Sequence, residues 1–245
     1  MNKHFPIQDT ARSANVNRWH SVPCYRYPSI AEHQYLAIMY GRDLLRRVMP
    51  RATDSQKLLL IEGLAVHDLA EVLTGDLATP IKKWLEAKWG DDENLLEEIE
   101  DAICPEAKIY RMRMQGTPLQ YIAKIADILE AIKFISEEGK HQWGAYRSAQ
   151  MTRKSLLSLV DVIAAPASEE RSNKISIIQK DLLEAERLDR EDPINRIIEE
   201  RIRSFSARVD MAKEAFPELN WSACHDVLNE LLNAAHTQID FIDLK

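Results

Sequence analysis

Apolar positions recur at helical spacing along most of the chain. From Ser29 onward, Ile30, Tyr35, Leu36, Met39, Leu44, Leu45 and Val48 form one stripe that ends near Pro50. Ser29 followed by Glu32 three residues on is the pattern of a capping box. A second helix begins at a cap on Thr53 or Asp54 and carries Leu58, Leu59, Ile61, Leu64, Ala65, Leu69 and Val72. It stops at Thr74-Gly75-Asp76, where Gly75 suits a helix C-terminus. Thr79-Pro80 opens a short helix bearing Lys82 and Trp84. Residues 91–103 read as an acidic amphipathic helix. After a fresh start at Gly116-Thr117-Pro118, Tyr121, Ile122, Ile125, Ile128, Leu129, Ile132 and Ile135 continue the period up to Gly139. Residues 143–164 are helical in pattern, and Pro166 separates them from a charged stretch, 168–215, read as one or two surface helices broken near Asp192-Pro193. A last helix spans about 219–236. Residues 1–28 are polar, and Pro6, Pro23 and Pro28 rule out a long helix there. No alternating run is long enough to build a sheet.

Composition supports an all-α chain. Helix-compatible Leu, Ala, Glu, Lys, Arg and Ile dominate, whereas the 245 residues hold only 7 Gly and 10 Pro. The length allows one or two domains. The expected division is a catalytic domain over 1–165 and a C-terminal helical extension over 166–245, packed on it or placed at an oligomer interface. A net charge of −7 argues against binding a nucleic-acid polymer by its backbone. It leaves room for a small anion, because a few local cations outweigh distant charge under physiological screening. Cys24, Cys104 and Cys224 are widely spaced and odd in number, which fits reduced thiols rather than a disulfide framework or a thiolate zinc site. The N-terminus lacks an apolar signal core, and no apolar run approaches the ~20 residues of a membrane span, so a cytoplasmic location is expected.

Four polar residues stand inside mostly apolar helices: His33, the adjacent pair His67-Asp68, and Asp127. Singly, an aspartate is most often a cap or solvated, and a histidine a hydrogen-bonded core residue. Taken together, two imidazoles and two carboxylates make a mixed nitrogen and oxygen site for one divalent cation such as Co, Mn, Zn, Fe or Mg. Glu71 follows His67 by four residues and Asp68 by three, so on a helix it shares their face. A carboxylate there can hold or relay the proton of a water.

The string His67-Asp68-Leu-Ala-Glu71-Val-Leu-Thr74-Gly75-Asp76-Leu-Ala-Thr79-Pro80-Ile-Lys82 resembles the HD motif of the bacterial 5′-deoxynucleotidase family, within the HD-domain superfamily of metal-dependent phosphohydrolases. The upstream Arg18-Trp19, the block Ser29-Ile-Ala-Glu32-His33, and Lys124-Ile-Ala-Asp127-Ile-Leu-Glu-Ala131 match it as well, so the resemblance covers roughly 15–140. It implies an HD-domain helical bundle, here with additional C-terminal helices. It also implies one divalent metal on His33, His67, Asp68 and Asp127, with Glu71 near the attacking water and Asp76 in the active site. Arg18 would meet a phosphate and Trp19 would lie against the deoxyribose, excluding a 2′-hydroxyl. Lys82 would supply a second positive charge. His20 and the insert 22–28 depart from the family where substrate is selected.

The expected reaction is removal of the 5′-phosphate from a deoxyribonucleoside monophosphate. Two alternatives stay open: a deoxynucleoside triphosphate hydrolase on the same scaffold, and a non-catalytic nucleotide-binding regulatory protein. The expected partners are a small-molecule nucleotide and further copies of the chain in a homo-oligomer, with no nucleic-acid polymer and no membrane. Trp84, Trp89, Trp143 and Trp221 read as packing anchors, His225 and His236 as surface or interface residues, and 169–204 as a solvated, ion-paired helix face.

Overall fold

The computed structural model describes residues 5–77, 82, 95–140, 154, 157–158 and 169–237. The described residues are helical, with α1 Ile7–Thr10, α2 Ile30–Val48, α3 Asp54–Val66, α4 Glu71–Thr74, α5 Leu95–Ile103, α6 Pro105–Met114, α7 Pro118–Glu138, α8 Glu169–Arg190, α9 Pro193–Ala215 and α10 Ala223–Thr237. Among them there is no strand; residues in isolated bridges occur, as between Asn17 and Ser29. No described helix is long and apolar enough to cross a membrane.

The helix starts follow side-chain chemistry. The Ser29 hydroxyl accepts the Glu32 N–H at 3.2 Å, while the Glu32 carboxylate turns to Arg26, so only half of the expected capping box forms. Thr53, not Asp54, caps α3, and its box closes with Gln56. Pro118 opens α7 where the sequence predicts a fresh start.

The expected second helix divides. It ends at Val66, residues 67–70 form turns, and α4 resumes at Glu71. His67 Nδ1 bonds the Leu64 carbonyl at 2.7 Å, and Leu69 and Glu71 N–H groups reach back only three residues, to Val66 and Asp68. Tight turns of this kind rotate side chains away from an ideal helical face. The expected helix around Thr79-Pro80 and Trp84 lies outside the described residues except for Lys82, as does nearly all of 143–164, and Trp89 and Trp143.

Two compact units emerge. One joins Met1–Glu138 with Arg201–Lys245, and the other is Gly139–Glu200. This division differs from a boundary at 165, and apolar packing is the reason. Phe205 (0% exposed), Val209 and Ala212 from α9, with Trp221, Cys224 and Val227, share one core with Leu44 of α2, Leu60 of α3 and Ile125 and Leu129 of α7. The 168–215 stretch is therefore not all surface, and Trp221 is the packing anchor expected of it, its indole N–H donating to the Phe216 carbonyl at 2.9 Å. In the second unit Ile178, Ala185 and Ile194 are buried, and Asp192 Oδ1 caps the start of α9 at the Ile194 N–H. Gly41 lies where α2 meets α3: a Cβ there would come within 2.5 Å of Leu64 Cδ1, so that side chain would have to shift. No disulfide joins the three cysteines, and all three are buried.

Phe205→Ala is expected to destabilise the first unit by about 3–5 kcal/mol, the usual cost of emptying a buried aromatic site. Urea denaturation measures it. A loss under about 1 kcal/mol, the scale of a surface change, would place α9 outside the core.

Candidate metal centre

Three elements converge on one point. α2 contributes His33, the 67–70 turns contribute His67 and Asp68, and α7 contributes Asp127. His33 Nε2 lies 3.1 Å from His67 Nε2, 3.3 Å from Asp68 Oδ2 and 3.5 Å from Asp127 Oδ1. His67 Nε2 lies 3.4 Å from the same Asp68 oxygen. His33 is fully buried, whereas His67, Asp68 and Asp127 keep 25%, 19% and 20% of their side chains open, as a site that admits substrate requires.

The donor set fits a cation. His33 Nδ1 is committed to Glu130 Oε2 at 2.6 Å, and His67 Nδ1 to the Leu64 carbonyl at 2.7 Å. Both acceptors call for a proton on Nδ1, which leaves the two Nε2 lone pairs facing each other beside carboxylate oxygens. Such a cluster of electron pairs repels itself unless a positive charge lies within it. The His33 imidazole reflects that demand: burial and Arg18 oppose its protonation, yet the Asp68 and Glu130 hydrogen bonds raise its pKa to about 9. Burial, the largest influence on His67, lowers its affinity for a proton. Burial also resists charge on Asp68 and Asp127, but His67 and Arg18 hold the first well below the usual carboxylate range, and Lys124 and His33 lower the second. His33, His67 and Asp68 place one ligand atom each within 4.8 Å of one another, and Asp127 borders them.

The remaining residues singled out in the sequence gather around this centre. Arg18 Nη1 donates to Asp68 Oδ2 at 2.9 Å, and its Nε is buried without a partner. Glu71 is 3% exposed. Its Oε1 accepts from Lys82 Nζ at 3.0 Å, and its Oε2 is buried and unpartnered. Burial, then Asp68, pushes the Glu71 carboxyl up to about 8 against the pull of Lys82. Asp76 does not face the four candidate ligands through any of its hydrogen bonds; its Oδ2 accepts the backbone N–H of Trp19 at 3.0 Å. Trp19 has φ 63°, a left-handed conformation rare for a bulky residue and a form of strain kept at functional sites. The turn sends Arg18 toward Asp68 and stacks the indole on Phe134 at 6.1 Å, with Arg201 over the ring at 5.3 Å. The insert 22–28 is tied down by Arg26, which pairs with Glu32 at 2.6 Å and Glu138 at 2.7 Å. His20 is exposed.

Over residues 11–161 the chain matches the HD domain family. It belongs to the HD-domain phosphohydrolases. This HD-domain phosphohydrolase is 33% identical to the dATP triphosphohydrolase of Salmonella phage PMBT28 over 59% of its own length and 71% of that protein. It is 31% identical to the dATP triphosphohydrolase of Cyanophage S-2L over 62% of its length and 83% of the relative. The solved structure of the Cyanophage S-2L HD phosphohydrolase (DatZ) bound to dA and one catalytic Zn2+ ion is similar at a TM-score of 0.48 and 20% identity, covering 87% of this chain and 99% of that one.

Sequence reasoning left two neighbours of the HD-domain centre without a role. Glu130, 1% exposed, orients His33, and Arg201 covers Trp19. Glu130 had a visible signal: it is a carboxylate three residues after Asp127 inside the mostly apolar stretch 125–135 of α7. Arg201 had none, since nothing local ties it to residue 19. A carboxylate behind a ligating histidine fixes its tautomer and raises its basicity. Glu130→Ala is expected to weaken metal binding by roughly 10–100-fold in chelator competition. Glu130→Gln, whose amide oxygen can still accept from Nδ1, should recover most of it. Equal affinities in all three proteins would remove Glu130 from the account.

Proposed function

We propose that this chain hydrolyses a deoxynucleoside 5′-triphosphate, dATP foremost, to the deoxynucleoside and inorganic triphosphate. The dATP triphosphohydrolases it resembles over most of their length support this reading over the monophosphatase expected from the HD motif. The observation that carries it is the meeting of His33, His67, Asp68 and Asp127 near a buried carboxylate with one unpartnered oxygen, Glu71 Oε2. A protein that only held nucleotides would not need that oxygen.

His33, His67, Asp68 and Asp127 would hold the cation. When bound, it makes water a better nucleophile and draws charge from a phosphoryl oxygen. Glu71 takes the proton of the attacking water at Oε2, while Lys82 holds Oε1 and fixes the carboxylate plane. The water oxygen forms a bond to the α-phosphorus, the bond from that phosphorus to O5′ breaks, and O5′ leaves, taking a proton from solvent while Glu71 returns its own to solvent. Arg18, already aimed into the centre, meets charge on the α-phosphoryl oxygens with its guanidinium. Asp76 positions the Arg18-Trp19 turn, and Trp19, braced by Phe134 and Arg201, presents a rigid wall to the sugar.

The test is product analysis. The metal-loaded chain is incubated with dATP, dADP and dAMP, and products are separated by anion exchange. Deoxyadenosine and triphosphate from dATP, with dAMP consumed far more slowly, is the expected pattern. Rapid phosphate release from dAMP and none from dATP would restore the monophosphatase.

A further inference from the structure

A cleft of about 570 Å³ leads away from the metal centre. His67 and Asp127 are among its lining residues, and its walls come from α3, α5, α6, the first half of α7, and α9. Arg18, Trp19 and Lys82 are not among its lining residues, so it offers space beyond the groups that hold the nucleoside and the attacked phosphorus. Four cations line it: Lys108, Arg111, Lys124 and Arg208. Three are committed. Lys108 pairs with Asp101 at 3.1 Å, Arg111 with Glu97 at 2.8 Å and also with Asp101, and Lys124 with Asp127 at 2.6 Å. Arg208 is half-buried, and among the described residues no carboxylate pairs with it.

A guanidinium that lines the cleft and pairs with no described carboxylate keeps N–H donors for an incoming anion. A planar fork of donors suits phosphate oxygens above other anions. A monophosphate at the metal has nothing to place there, whereas a triphosphate has two further phosphates to extend along the cleft. We propose that Arg208, carried by α9 beyond the HD-matched residues 11–161, binds the phosphate tail of the substrate and makes the site select triphosphates over monophosphates. The inference rests on the triphosphohydrolase reading and names a residue for it. α9 then serves the site twice, since Arg201, two turns earlier on the same face, lies over Trp19. Phe205 and Val209 between and beside them fasten that face to the core.

Binding is measured without turnover, in a Glu71→Gln background loaded with metal, by calorimetry with dATP and with dAMP. Adding Arg208→Ala is expected to raise the dATP Kd by roughly tenfold or more, on the scale of a lost charge-assisted hydrogen bond, and to leave the dAMP Kd within about twofold. Arg208→Lys should fall between, keeping charge without the fork. A dATP Kd within about twofold of the parent, or equal weakening of dATP and dAMP, overturns the assignment; equal weakening would mean that Arg208 serves the nucleoside or the fold. Failure of the underlying reading shows elsewhere: dATP left intact by the unaltered chain sinks the triphosphohydrolase, whereas the Arg208 contrast is read from binding alone.

Discussion

Asp68→Ala is expected to empty the metal site and to abolish turnover together. One oxygen of this side chain is 3.3 Å from His33 Nε2, 3.4 Å from His67 Nε2 and 2.9 Å from Arg18 Nη1. Its removal takes away the charge at the middle of the donor set. What remains is two neutral imidazoles and Asp127, one of whose oxygens is held by Lys124. Arg18 would also lose its anion, placing a bare cation where the metal should sit. Metal content by elemental analysis and kcat/KM are expected to fall to background in the same protein. Asp68→Asn controls for volume and should lose the ion as well, because an amide is a poor substitute for an anionic ligand. A fully loaded Asp68→Ala protein would place the ion elsewhere.

Glu71→Gln should separate binding from chemistry. Among the described residues the Glu71 side chain makes no hydrogen bond to a candidate ligand; its Oε1 accepts from Lys82, and its Oε2 is buried without a partner. Glutamine keeps the shape and can still accept from Lys82, but it cannot take a proton from water. The expected result is a fall in kcat of about 10²–10⁴, the range for loss of a positioned general base, with metal content and dATP affinity retained. If the variant loses its metal as completely as Asp68→Ala, the role given to Glu71 is wrong.

Much of the fold was legible because local signals and burial agree. Ser29, Thr53 and Pro118 start helices where their side chains dictate, and Asp192-Pro193 breaks the charged stretch. The division of the second helix at Val66 was not legible, since 58–73 keeps an apolar period through the break, and nothing in that period signals the local His67 bond to Leu64 that accompanies it. Nor could periodicity show that Phe205 and Trp221 join the core of residues 37–132, because a stripe says that a face is covered but not by what.

The site followed the same rule. His33, His67, Asp68 and Asp127 were readable as chemically unusual residues in apolar helices, and the structure brings them together. Asp76 was expected among the catalytic groups; that its carboxylate accepts the Trp19 backbone N–H, a contact made across the fold, was not readable from the sequence. Arg201 and Arg208 lie in a stretch that reads as solvated charge, and only their placement over Trp19 and in the cleft gives them meaning. The length of the phosphate chain was illegible for a related reason: the candidate ligands would meet the phosphorus next to O5′ in the same way whether one phosphate or three follow it.

The most direct measurement is hydrolysis of dATP in ¹⁸O-labelled water, followed by ³¹P NMR. The account predicts inorganic triphosphate carrying the label on a terminal phosphorus, unlabelled deoxyadenosine, and no pyrophosphate or orthophosphate ahead of them. Label first appearing in orthophosphate or pyrophosphate would contradict it, because the water would then have attacked a phosphorus other than the one bound to O5′.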